Sequence, residues 1–221
     1  MLQQFDINGN RFNGYLALPE MEVRASLLLL HAWWGLNKFI ITTCDKFAEE
    51  GFLAFAPDYY DKNVAVTIDE AKSYRQKLDR KSTIKLVNHA ADFLWAHPSN
   101  AMQKIGVLGV SLGAGYAIEV SRQKSHYVNA VVLYYGTGGG KFNKTQAAFM
   151  GHFAENDTWG AHTKKVNALA DRIRAAGKNL FFYTYNNTEH WFAETDRPEY
   201  DRDAADLAWG RTISFLNNTL T

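Results

Sequence analysis

One stretch, Lys104–Tyr116, constrains the fold more than any other part of this chain. Its sequence, KIGVLGVSLGAGY, starts with the β-forming run Ile105–Val110 and passes through G-x-S-x-G into helix-forming residues. This order predicts a strand, a sharp turn that carries Ser111, and a helix. Glycines flank the serine because a Cβ at either position would clash where the strand and helix backbones approach each other. The turn should expose the Ser111 hydroxyl and leave the Leu112 N–H, at the helix N-terminus, free to bind an anion.

Apolar runs and helix-forming segments alternate along the rest of the chain. The predicted strands are Ala25–His31, Phe52–Ala56, Lys104–Val110, Val128–Tyr135, Gln146–Phe153 and Leu180–Tyr185. The predicted helices are Phe39–Glu50, Ile68–Leu78, Ser82–Trp95, Leu112–Arg122, Ala161–Ala176 and Tyr200–Leu216. Asn8-Gly9, between Phe5–Ile7 and Phe12–Leu18, predicts an antiparallel hairpin at the N-terminus. The alternation favours an α/β fold, a mostly parallel sheet with helices on both faces, in a single domain of residues 1–221.

Charge and composition argue against several classes of function. The 221 residues include 24 basic and 23 acidic side chains, a net charge of +1 that gives no attraction for nucleic acid or for an anionic membrane surface. The N-terminal MLQQFDINGN lacks the pattern of a signal peptide, and no apolar run reaches membrane-spanning length. The single Cys44 cannot form an internal disulfide and is expected to pack inside a helix. We expect a cytoplasmic protein, a monomer or weak homodimer, that acts on a small molecule.

A serine hydroxyl is a useful nucleophile only when a base takes its proton and an acid orients that base. Where the serine lies on such a turn, the acid and the histidine follow it in the chain, each after a later strand. Asp157 follows the strand Gln146–Phe153, and His190 follows Leu180–Tyr185. The sequence therefore predicts a triad of Ser111, His190 and Asp157 in an α/β-hydrolase fold. Glu155, two residues before Asp157, is an alternative acid.

The remaining polar residues have simpler interpretations. Asp58 follows a strand and is expected to hold its loop, as is His31, while Glu189 is expected to be solvated. The segment GTGGGK at Gly136–Lys141 does not have the spacing of a phosphate-binding loop. No metal site is predicted, because metal-ligand spacing is absent from the other histidines, His89, His97, His126, His152 and His162.

The tetrahedral intermediate of acyl transfer needs two backbone N–H donors for its oxyanion. Leu112 offers one, and Trp33, in the loop after Ala25–His31, is best placed to offer the other. Four aromatic side chains in loops at the same edge of the sheet are predicted to bind an apolar, neutral part of the substrate: Trp34, Tyr135, Trp159 and Trp191. The alternative is that several of them only pack the loops together.

Taken together, these residues resemble the dienelactone hydrolase family. The resemblance covers nearly the whole chain, through HAWWGLN, FAPDYY, GVSLGAGY, VVLYYGTGGG, GHFAENDTWG and EHWFAE in that order. It implies an α/β-hydrolase fold and hydrolysis of esters or lactones without a cofactor. By position, Ser111 matches the family's nucleophile, His190 its base and Asp157 its acid. Trp33 and Leu112 match its oxyanion donors.

Two departures from the well-known members concern the nucleophile. Those members use a cysteine where this chain has Ser111, and a glutamate that helps to activate the thiol where this chain has Ala32. The two changes agree with each other. A hydroxyl needs His190 as its base, and a buried carboxylate beside it would compete for the proton.

A third departure concerns the substrate. The well-known members hold the lactone carboxylate with arginines, one of them four residues after the histidine, where this chain has Glu194. Glu194 is therefore predicted to contact the substrate, with a solvated loop acid as the alternative. Arg75 and Arg80 lie in roughly the region of another arginine.

The sequence therefore predicts a serine hydrolase that cleaves a small carboxylic ester or lactone through an acyl-enzyme, with no cofactor and no metal. One alternative is a true dienelactone hydrolase (carboxymethylenebutenolidase), in which a basic residue from elsewhere replaces the missing arginine. A second alternative is a non-catalytic binding protein that uses the α/β-hydrolase fold.

Overall fold

The computed structural model of the chain describes residues 2–7 and 9–221. The strands are β1 (Leu2–Ile7), β2 (Asn10–Ala17), β3 (Ala25–Leu30), β4 (Phe52–Asp58), β5 (Ile105–Val110), β6 (Val128–Tyr134), β7 (Ala148–Ala154) and β8 (Leu180–Tyr185). The helices are α1 (Lys38–Glu49), α2 (Ile68–Lys77), α3 (Arg80–Trp95), α4 (Leu112–Gln123), α5 (Thr163–Ala175) and α6 (Arg202–Leu220), with a 3-10 turn at Phe142–Lys144. Asn8 of the predicted Asn-Gly turn lies outside the described residues.

All eight strands form one sheet in the order β1-β2-β4-β3-β5-β6-β7-β8. The two N-terminal strands pair antiparallel, as do β2 and β4, and every other neighbouring pair is parallel. The predicted fold class is thus confirmed. Because β3 to β8 run in the same direction, the loops after them meet at the carboxyl edge of the sheet, where α/β proteins bind ligands.

Two layers of helices bury the two faces of the sheet. In β3, Leu27 and Leu29 pack with α1 and α6, whereas Leu28 and Leu30 pack with α3 and α4 on the other face. All four leucines are fully buried, which explains the unbroken apolar run in the sequence. Cys44 is fully buried on α1, as expected. Among the described residues, no helix combines the length and the apolar character needed to cross a membrane.

The main difference from the predicted elements is the end of β4. The sequence suggested that Pro57 ends the strand at Ala56, but the strand continues through Asp58. Its antiparallel partner β2 is long enough to pair Gly14 with Pro57 and Asn13 with Asp58. A proline lacks only the N–H donor, and its fixed φ is compatible with extended backbone.

The turn between β5 and α4 is as tight as its glycines suggest. An added Cβ on Gly109 would come within 2.5 Å of the Gly113 carbonyl oxygen, and one on Gly113 would overlap the carbonyl oxygen of Leu30. Ser111, between them, has φ 51° and ψ −106°, a backbone conformation that residues with a side chain rarely adopt. The packing of β3, β5 and α4 therefore holds Ser111 in this conformation.

A pair of glycine substitutions tests this packing. In Gly113→Ala the new methyl meets β3 backbone that cannot move aside, so we expect the free energy of unfolding to fall by about 2 kcal/mol or more. Gly210→Ala is the matched control, because Gly210 lies in α6 with nothing within 4 Å of an added Cβ. It should raise stability by about 0.5–1 kcal/mol through helix propensity. Urea unfolding followed by circular dichroism measures both values, and equal effects would contradict the close packing.

Candidate active site

Ser111, His190 and Asp157 form a continuous chain of hydrogen bonds at the carboxyl edge of the sheet. Ser111 Oγ lies 2.9 Å from His190 Nε2, and His190 Nδ1 lies 2.6 Å from Asp157 Oδ2. Because a carboxylate can only accept, Nδ1 carries the proton, and Nε2 is free to accept the hydroxyl proton of Ser111. The three side chains thus have the geometry for proton transfer from the serine to the imidazole.

The loop after β7 fixes the Asp157 carboxylate from its other side. Asp157 Oδ1 accepts hydrogen bonds from the N–H groups of Trp159 and Gly160, at 2.8 and 3.0 Å. Burial by itself would raise the pKa of Asp157, but the bond and charge of His190 and these two N–H donors hold it below its ordinary value. The carboxylate therefore stays charged opposite His190.

Glu155, the alternative acid, points elsewhere. Its carboxylate is exposed and accepts a hydrogen bond from the Asn187 N–H at 2.8 Å. The loops that carry Asp157 and His190 are joined by their backbones, since the Asn156 N–H donates to the Thr188 carbonyl at 3.0 Å. The contact to the His190 ring thus comes from Asp157 and not from Glu155.

The two predicted oxyanion donors lie in the same cleft as Ser111. Leu112 begins α4, and the first N–H groups of a helix have no acceptor within that helix. Trp33 lies in the turn after β3, and its N–H donates no backbone hydrogen bond to any described residue. Both N–H groups are therefore available to a ligand, as an oxyanion hole requires.

His31 and Asp58 hold the loops beside Trp33, as predicted. His31 Nδ1 donates to the Ala32 carbonyl at 2.7 Å, and its Nε2 accepts the Tyr59 N–H at 3.4 Å. Burial lowers the pKa of His31 to about 3, so the ring is neutral, as one donor and one acceptor nitrogen require. Asp58 accepts the Tyr60 N–H at 2.8 Å. These bonds fix the backbone that leads into the Trp33 turn.

The cleft above Ser111 has a volume of about 590 Å³ and two chemically different walls. One wall is aromatic, with Trp33, Tyr135, Trp159 and Trp191. The other carries the cationic side chains of Lys72, Arg75 and Arg80, from α2 and the start of α3. The sequence suggested an apolar site and placed Arg75 and Arg80 only roughly, in the region of the family's other arginine. Lys72 was not anticipated, because nothing in the pattern of α2 shows which of its exposed faces meets the cleft.

Two predicted substrate contacts are wrong. Trp34 is only 2% exposed and does not line the cleft, because its ring packs under the guanidinium of Arg197, 3.9 Å away. Glu194 is 1% exposed and is neither at the cleft nor solvated. Its side chain accepts a hydrogen bond from the buried Tyr135 hydroxyl instead. Tyr135, Trp159 and Trp191 do line the cleft, so their contact with substrate stays a prediction.

Over residues 2–7 and 9–221, no group of three or more histidine, cysteine, aspartate or glutamate side chains is arranged to hold a metal ion. The histidines outside the triad have other surroundings. His152, for example, is buried between the hydroxyl groups of Tyr185 and Thr212, at 2.8 and 2.9 Å. Ser111 and His190 line the described cleft together with Lys72, Arg75 and Arg80, whereas Asp157 lies behind His190 and does not line it.

The chain is similar in sequence to known proteins. A sequence model described as the dienelactone hydrolase family matches residues 12–220. Protein usf of Aquifex pyrophilus is 28% identical, over 99% of this chain and 98% of its own length. Carboxymethylenebutenolidase 1 of Cupriavidus pinatubonensis is 25% identical, over 95% of this chain and 92% of its own.

A solved structure shows the same fold. The dienelactone hydrolase-like promiscuous phosphotriesterase from metagenomic libraries superposes with a TM-score of 0.86. The match covers 100% of this chain and 98% of the other, at 19% identity. The α/β-hydrolase fold expected from the sequence is confirmed.

The charge state of Asp157 predicts how the site contributes to stability. A carboxyl whose pKa is lowered by folding stabilises the protein above its unfolded pKa, and this contribution is lost as the pH falls through the folded pKa. We expect the difference in the free energy of unfolding between wild type and Asp157→Asn to be largest near neutral pH and to become smaller below about pH 4. Urea unfolding over a pH series measures it. Asp171→Asn, exposed on α5, controls for the loss of a surface charge, and a difference that stays constant with pH would contradict the prediction.

Proposed function

The chain belongs to the dienelactone hydrolase family and is a hydrolase, and on that basis we propose that it cleaves a small carboxylic ester or lactone with Ser111 as its nucleophile. The observation that carries the proposal is the hydrogen-bonded chain from Ser111 through His190 to Asp157 at the base of a cleft. Ala32, where well-known members of the family have a glutamate, adds no carboxylate beside the serine. His190 is then the base that serves Ser111.

In the proposed acylation step, the Ser111 hydroxyl gives its proton to His190 Nε2 while Oγ bonds to the carbonyl carbon of the substrate. The carbonyl oxygen becomes an oxyanion, which the N–H groups of Trp33 and Leu112 stabilise. When the intermediate collapses, the bond to the leaving oxygen breaks, and His190 returns the proton to that oxygen. The product of this step is an ester of Ser111 and, from a simple ester, a free alcohol.

In the proposed deacylation step, His190 takes a proton from water, whose oxygen attacks the same carbonyl carbon. When the second intermediate collapses, the bond between Ser111 Oγ and the carbonyl carbon breaks, the acid leaves, and His190 returns its proton to Oγ. Asp157 stays charged throughout. It keeps the proton of the free imidazole on Nδ1 and stabilises the imidazolium that forms in each step.

The aromatic wall supports a substrate with an apolar group beside the scissile bond. Trp159, 45% exposed, packs against Trp33 and Trp191 with ring centroids 5.4 and 5.1 Å apart. Flat rings of this kind stack on planar or branched apolar groups. We therefore expect neutral p-nitrophenyl esters of short acids to be substrates.

Covalent labelling tests the nucleophile. A fluorophosphonate should add to Ser111 with loss of fluoride, which intact-mass spectrometry and peptide mapping would detect. Ser111→Ala should abolish the label and lower kcat for p-nitrophenyl acetate by at least about 10³-fold. Ser214→Ala, at an exposed serine of α6, is the matched control and should label like wild type. A non-catalytic binding protein would neither label nor turn over the ester, and labelling that persists in Ser111→Ala would contradict the assignment.

The cationic wall favours a second candidate, hydrolysis of a carboxylated lactone, as the name of the Cupriavidus pinatubonensis relative suggests. Lys72 lies 3.7 Å from Asp69, and both Arg75 and Arg80 are exposed at the cleft with no ion pair to another described residue. In this candidate, the basic residues that replace the family's missing arginine come from the α2–α3 region and bind the carboxylate of the substrate.

Two esters whose acyl groups differ by a terminal carboxylate separate the two candidates. If the cationic wall binds a carboxylate, mono-p-nitrophenyl glutarate should have a KM at least about tenfold below that of p-nitrophenyl butyrate, a difference of about 1.4 kcal/mol. Arg80→Gln should remove this advantage without changing the KM of the neutral ester. Lys81→Gln, next in the chain but not at the cleft, controls for net charge. Equal KM values for the two esters in wild type would leave the neutral-ester proposal standing and exclude the second candidate.

A further inference from the structure

Glu194 is a fully buried acid that neither the triad nor the cleft uses. It lies four residues after His190, at the end of a tight loop. The Glu194 N–H donates to the Trp191 carbonyl at 2.8 Å, and Trp191 has a positive φ of 73°. In this loop the Glu194 side chain points into the interior and reaches the Tyr135 hydroxyl.

Tyr135 connects Glu194 to His190. The Tyr135 hydroxyl donates a hydrogen bond to Glu194 Oε1 at 3.0 Å, and its ring lies 5.0 Å from the His190 ring, centroid to centroid. Tyr135 is itself fixed, since it is fully buried and its N–H donates to the His152 carbonyl at 2.7 Å. One rigid side chain therefore touches both the buried acid and the base.

No cation among the described residues forms a direct ion pair with Glu194. Asp196 and Glu199 repel its negative charge, and Arg197, which attracts it, stacks its guanidinium on Trp34. Burial, followed by the charge of Asp196, raises the pKa of Glu194 to about 8, against the opposing effects of the Tyr135 bond and of Arg197. Near neutral pH the side chain is therefore mostly a neutral acid, whose Oε1 accepts a hydrogen bond from the Tyr135 hydroxyl.

We propose that Glu194 is a positioning residue that acts on His190 through Tyr135, and that it holds the base in place only while it is protonated. The inference rests on the proposed function, because it concerns the orientation of the proposed base. When Glu194 loses its proton, a buried charge without an ion partner forms next to the rigid Tyr135. The loop that carries His190 must then adjust to solvate that charge, and the bond from Ser111 to His190 is no longer held at its productive length.

The pH profile of kcat provides the main test. Wild type should lose kcat for p-nitrophenyl acetate as the pH rises through about 8, with little change in KM. Glu194→Gln keeps an acceptor for the tyrosine hydroxyl but cannot ionise, so it should recover activity at high pH and remove this descending limb. Identical profiles for wild type and Glu194→Gln would overturn the proposal.

Removal of the hydrogen bond tests the path through Tyr135. Glu194→Ala should lower kcat about tenfold at neutral pH. Tyr135→Phe, which keeps the ring and loses only the hydroxyl, should have a similar effect, and the double variant should be no worse than either single one. Additive losses would mean that the two residues act independently. Glu189→Ala, at an exposed glutamate directly before His190, is the matched control and should keep the wild-type profile.

Nuclear magnetic resonance makes the test independent of turnover. The ring signals of His190, assigned from their loss in His190→Gln, should shift in wild type with a midpoint near pH 8, and this shift should be absent in Glu194→Gln. If Ser111 labelling fails but the His190 shift is present and depends on Glu194, the coupling holds and the proposed hydrolysis is wrong. If labelling succeeds and the His190 signals shift in the same way in wild type and in Glu194→Gln, the positioning role is wrong.

Discussion

The close approach of β5, α4 and β3 is the constraint on which the candidate site depends. Glycines at 109 and 113 leave no room for a side chain, so the backbone between them turns within a few residues and Ser111 takes a positive φ. Such a conformation costs of order 1–3 kcal/mol and persists only where its surroundings fix it. Here the Ser111 N–H donates a hydrogen bond to the Tyr134 carbonyl at 2.9 Å, and the Ser111 carbonyl accepts one from the Ala114 N–H at 3.1 Å. The strain is thus held by bonds that belong to the sheet and the helix.

The loops that carry the other site residues are held by bonds that do not involve Ser111. Asp157 is fixed by N–H groups of its own loop, and backbone bonds join that loop to the residues before His190. His31 fixes the turn at Trp33 through its bond to the Ala32 carbonyl. Each reacting group is therefore positioned before any ligand binds. Fixed dipoles and short proton-transfer distances lower the activation barrier of a reaction only when they are positioned in this way.

The sequence predicts a feature of the site well when that feature is decided by residues close together in the chain. The turn at Ser111 follows from neighbouring glycines, and the placement of Asp157 and His190 follows from strand direction, so pattern and order were sufficient. The orientation of a loop side chain is different, because it is decided by residues distant in the chain. Trp34 turns away from the cleft since Arg197 stacks on it, and Glu194 turns inward since Tyr135 offers a hydroxyl. Neither contact can be predicted from the spacing of residues in the sequence.

The replacement of an arginine by Glu194 has a physical consequence beyond the lost charge. An arginine cannot lose its proton in a protein and would need solvent or a carboxylate at this position. A glutamate can enter the interior as a neutral acid, which allows the loop after His190 to close on Tyr135 without a charged partner. A cation for an acidic substrate would then come from the part of the cleft that Arg75 and Arg80 line. The substitution thus buries this loop residue against Tyr135 and leaves the cationic side chains of α2 and α3 as the positive charges at the cleft.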